Sequence, residues 1–155
     1  MGYLCLSCFN EYDGNLLKLD KSEGYYYRCP NKKCGDMNLV EVDDLILPII
    51  KLLNIKGYKT TYCCSAHAYE NENHRANTYI AFDSEFVPKV IPKGFTLENE
   101  EYYNKQGWDW NTDDICIRKY YKEGLSEYEL HQRICKTIID LMKWAENLPY
   151  NDYEE

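Results

Sequence analysis

Apolar positions recur at helical steps in two stretches of the chain and at strand-like steps in several others. Leu130, Ile134, Ile138, Leu141, Ala145 and Leu148 share one face of a 3.6-residue repeat. Ser126 precedes Glu129 by three residues, forming a capping box, so this helix starts after Ser126 and stops before Pro149. Leu45, Ile49, Leu52 and Leu53 repeat similarly, with Asp43 or Asp44 available as a cap and Gly57 beyond the end. Pro48 lacks an N–H and fits only a first turn, which moves that start toward Leu47.

Between the helices, "YKTTYCC" (58–64), "TYIAFD" (78–83) and "ICIRKYYK" (115–122) are rich in β-branched and aromatic residues and predict strands. "GFTLE" (94–98) predicts a short edge strand. The polar 65–77 stretch predicts a loop, 84–93 an extended connection through Pro88 and Pro92, and 98–114 a long exposed acidic, aromatic loop. Residues 3–40 follow a loop, strand, turn, strand, loop pattern, with Leu16-Leu17 and Tyr25–Tyr27 in its middle. The expected fold class is α+β. A small zinc ribbon (1–40) precedes an α+β domain (41–149) with an antiparallel sheet of three to four strands. Two helices pack on one face of that sheet, and a tail occupies 150–155.

The first 40 residues are too few to bury a core and need a staple. Cys5-x2-Cys8 and Cys29-x4-Cys34 provide one, as two turns 20 residues apart. Zinc takes four soft ligands at the corners of a tetrahedron, and two such turns across a hairpin supply them. Ser7, Pro30, Asn31 and Gly35 suit the tight backbone of the turns. The segment "YYYRCPNKKCGD" downstream of "YLCLSC" resembles the zinc-binding part of the Ogr/Delta late-transcription activators of phages. It is also similar to the zinc ribbons at the tail of bacterial type I topoisomerases. The likeness covers about 35 residues and implies a zinc-ligand role for Cys5, Cys8, Cys29 and Cys34. "LLNIKGYKTTYCCSAH" resembles a segment of uncharacterised small proteins of low-GC bacteria and their phages, with no activity attached.

A second cluster, Cys63, Cys64 and His67, with His74 beyond, admits three readings. It can be a second metal site, which Cys116 can join, or a thiol nucleophile with a histidine base. It can also be a core strand running into a polar loop, in which one cysteine packs as a small hydrophobe. Neighbouring strand residues point to opposite faces, so Cys63 and Cys64 chelate one ion together only if the strand ends or bulges. Trp108 and Trp110, among Asp109, Asp113 and Asp114, are candidate partner-binding residues.

Charge narrows the function. The net charge is −8, and the excess lies entirely beyond residue 36, since 1–36 carry five basic and five acidic groups. Such a surface repels phosphate backbones. With no leader pattern at the N-terminus, the eight cysteines are expected to be thiols or ligands in a cytoplasmic protein of a bacterial host cell. Lys, Tyr, Asn and Ile dominate over Arg and Ala, as an AT-rich coding sequence yields. The expectation is a zinc-binding, non-enzymatic protein working through protein contacts, a phage or mobile-element factor that modulates or inhibits a host defence system. One alternative is a transcription regulator binding nucleic acid through Lys18, Lys21, Arg28, Lys32 and Lys33. The other is a small enzyme using Cys63 or Cys64 with His67.

Overall fold

The computed structural model describes residues 2–13, 28–66, 75–107 and 114–151. The strands expected around Leu16-Leu17 and Tyr25–Tyr27 lie outside the described residues, as do His67, His74, Trp108 and Trp110. The described chain is α+β, with two antiparallel sheets and three helices.

The first sheet has strand β1 (Gly2–Cys5) between β2 (Glu11–Asp13) and β3 (Leu39–Val42). All four residues of β1 are buried, because the strand is covered on both faces. Tyr3 and Cys5 turn toward the other cysteines and Leu39, while Leu4 enters the main core with Val42. A strand buried on both sides shows no apolar–polar alternation, which is why the pattern along the chain does not reveal it. The boundary drawn at residue 40/41 falls inside β3, whose two ends serve these two clusters.

Helix α1 (Leu47–Ile55) follows, with Pro48 in its first turn as its missing N–H requires. Its N-cap is Ile46, which makes no side-chain cap bond, so neither aspartate caps it. The Asp43 carboxylate instead accepts hydrogen bonds from the Ser65 N–H at 3.2 Å and hydroxyl at 3.1 Å. This ties the end of β3 to the chain just after Cys64.

The second sheet contains β4 (Thr60–Cys64), β5 (Asn77–Asp83), β6 (Thr96–Glu98) and β7 (Asp114–Tyr120), in the order β4-β5-β7-β6. Helix α2 (Glu100–Lys105) interrupts the stretch expected to be loop. Asn99 caps it by accepting the Tyr102 N–H at 3.0 Å, and Glu100 and Glu101 favour the positive end of its dipole. Helix α3 (Glu127–Asn147) starts at the predicted cap, with the Ser126 hydroxyl accepting the Glu129 N–H. Leu53 of α1 and Leu141 and Ala145 of α3 pack with Ile80, Phe82 and Ile117, placing both helices on one face of the sheet.

Candidate metal centre

The end of β1 and the turn after it deliver Cys5 and Cys8, and a second turn delivers Cys29 and Cys34. The four sulfurs lie within 4.8 Å of one another. Cys5 and Cys34 Sγ are 3.8 Å apart, and Cys8 and Cys29 Sγ are 3.6 Å apart. This arrangement can hold a metal ion.

Local backbone chemistry builds each turn. In the first, the Phe9 N–H donates to the Cys5 carbonyl at 2.8 Å, with Phe9 at φ 63°. In the second, the N–H groups of Cys34 and Gly35 both donate to the Asn31 carbonyl at 2.9 Å. Gly35 has φ 63°, a left-handed conformation that glycine adopts without the penalty of a side chain. The Asn31 side chain also accepts the Lys33 N–H. Asn38 binds the two halves together: its carbonyl accepts the Leu6 N–H and its amide donates to the Ser7 hydroxyl at 2.6 Å.

The thiols differ in environment. Burial pushes the Cys5 thiol up to about 12, whereas a hydrogen bond from the Asn10 backbone draws Cys8 down to about 7. Tyr12 on β2 places its hydroxyl 3.3 Å from Cys29 Sγ. That contact and burial raise Tyr12 to about 12, so the phenol stays protonated at neutral pH. Sequence reasoning missed Tyr12. Its only signal was a tyrosine in the strand after the first turn, and β1–β2 pairing sets it opposite Tyr3.

The second cysteine cluster is arranged differently. Cys63 lies opposite Ile80 and packs against the main core, while Cys64 lies opposite Tyr79 on the other face. Burial pushes the Cys63 thiol up to about 12, which opposes nucleophilic use. Cys64 Sγ accepts the Ala66 N–H at 3.4 Å. Cys116 also faces away from α1 and α3, opposite Ala81, and burial raises it to about 12. Among the described residues, Cys5, Cys8, Cys29 and Cys34 are the group whose ligand atoms converge; Cys63, Cys64 and Cys116 form no such group.

Among the described residues, no helix is long and apolar enough to cross a membrane. Compared with protein-family models, with curated proteins and with solved structures, the chain finds no match in any of the three.

Proposed function

We propose that the protein binds one structural zinc ion and acts without catalysis, through contacts with another protein. The observation that carries this reading is the sulfur cluster. A zinc–sulfur bond of about 2.3 Å in a tetrahedron requires sulfurs about 3.8 Å apart. The separations of 3.6 and 3.8 Å match that requirement. Four thiolates select soft ions, and four protein ligands leave no open position for substrate, the mark of a structural site. The buried, protonated Cys63 favours the non-enzymatic reading over a thiol enzyme.

The net charge of −8 favours a protein partner over a nucleic acid. The composition and the two phage-like segments support a phage or mobile-element factor that modulates a host system. Exposed Arg28, Lys32 and Lys33 gather beside the second cysteine turn and favour the nucleic-acid reading as the competitor. Nucleic-acid binding measured across salt concentrations separates the two. Phosphate contacts give a steep negative slope, and the protein-contact reading requires no binding even at low salt.

A further inference from the structure

The four sulfurs of the metal centre are not equally placed. Cys5 and Cys29 are 0% and 3% exposed, while Cys8 and Cys34 reach the surface in part. Four thiolates outweigh the charge of one divalent ion, so a loaded centre carries excess negative charge on its sulfurs. Water takes up part of that excess at the partly exposed sulfurs. A buried sulfur lacks that help and needs hydrogen bonds from the protein. For Cys5 the backbone supplies them, through the N–H groups of Ser7 and Cys8. The amides of Asn10 and Asp36 serve Cys8 and Cys34. At buried Cys29 a side chain arrives: Tyr12 Oη lies 3.3 Å from Sγ.

The first turn prepares this contact. The Cys5 N–H donates to the Asn10 carbonyl at 3.0 Å, and β2 starts at the next residue. Strand alternation turns Tyr12 inward between exposed Glu11 and Asp13, where it packs against Tyr3, Cys5, Cys29 and Leu39. While Cys29 is a thiol, either atom of the contact can carry the shared hydrogen. Metal binding removes that choice. The ligand is the thiolate, whereas a phenol keeps its proton at neutral pH. The hydroxyl is then the donor and the sulfur the acceptor.

We propose that Tyr12 supports the metal centre by donating an O–H···S hydrogen bond to the Cys29 thiolate, and that this bond tightens the hold on the ion. The proposal rests on the zinc reading and adds to it a residue outside the four ligands. Groups that hydrogen-bond a metal ligand commonly change metal affinity by about 10–100-fold.

The test compares the full chain with its Tyr12→Phe variant, which keeps the ring and the β1–β2 pairing and loses one oxygen. Affinity for Zn2+ is measured by competition with a chromophoric chelator. Both chains are also loaded with Co2+, whose sulfur-to-metal charge-transfer band reports electron density on the thiolates. Tyr12→Phe is expected to bind Zn2+ about tenfold more weakly. Its charge-transfer band should move to longer wavelength, because a sulfur that loses a donor holds its electrons less tightly. The band separates the hydrogen bond from mere packing, which the phenylalanine ring preserves. Unchanged affinity or an unmoved band would each overturn the proposal. Equal binding by wild type and variant removes the role of Tyr12 and leaves the zinc reading standing. A wild-type chain that takes up neither ion removes both.

Discussion

Lys56 is only 7% exposed, yet its ammonium donates to three main-chain carbonyls at the end of α3. These are Ala145 at 3.0 Å, Glu146 at 2.7 Å and Leu148 at 2.7 Å. The last carbonyls of a helix have no partners within it and carry its negative dipole end, so a cation there does two jobs. Lys56→Met keeps the aliphatic stem and strands those acceptors. The expected loss is about 2–3 kcal/mol in urea unfolding, and a change near zero would show that water replaces the ammonium without cost. At Cys63 and Cys116, burial holds both thiols up at about 12 against an ordinary 9.0. The unfolded chain therefore ionises first as pH rises above 9, and stability falls between about pH 9 and 12. The slope is at most about 1.4 kcal/mol per pH unit per thiol. Alkylation followed by mass spectrometry checks the same environments at pH 8. The exposed Cys135 should react much faster than Cys63 or Cys116, and equal rates would contradict the burial.

Among the elements, α3 was legible because each signal in it agrees: capping box, apolar stripe and terminal proline. Ser126→Ala removes the cap bond and is expected to cost about 1 kcal/mol, read by thermal or urea unfolding. The start of α1 was half legible. Pro48 correctly placed it at Leu47, but the expected aspartate cap is absent because Asp43 holds Ser65 instead, a contact across 22 residues that local pattern does not encode. Helix α2 was read as loop because its six residues are too few to show an apolar face, although Asn99 followed by two glutamates was a usable start signal. Strand β1 was hidden for the opposite reason. Covered by the cysteine cluster on one side and the main core on the other, it needs apolar residues at every position. Leu4→Ala is expected to cost about 3 kcal/mol. Because its side chain lies on the core side, bound metal measured per folded chain should not change.

Across the whole molecule, the cysteine spacing made the convergence of Cys5, Cys8, Cys29 and Cys34 legible, since two short-spaced pairs leave few other ways to staple a segment without a core. The pairing within the second sheet was not legible, because Ala81, Cys116 and Tyr62 are far apart in the chain and only register brings them together. Strand β1 couples the centre to the rest. Tyr3 and Cys5 border the sulfurs, while Leu4, one residue away, sits fully buried among the residues of α1 and β5. Structural zinc contributes on the order of 10 kcal/mol to small modules, so chelation should loosen β1 and lower the unfolding temperature of the whole chain. Metal content per chain, measured on purified protein and on a Cys5→Ser, Cys34→Ser variant, tests the central claim most directly. One zinc in the native chain and its loss in the variant are predicted. A native chain without zinc, or a variant that retains it, would contradict the account.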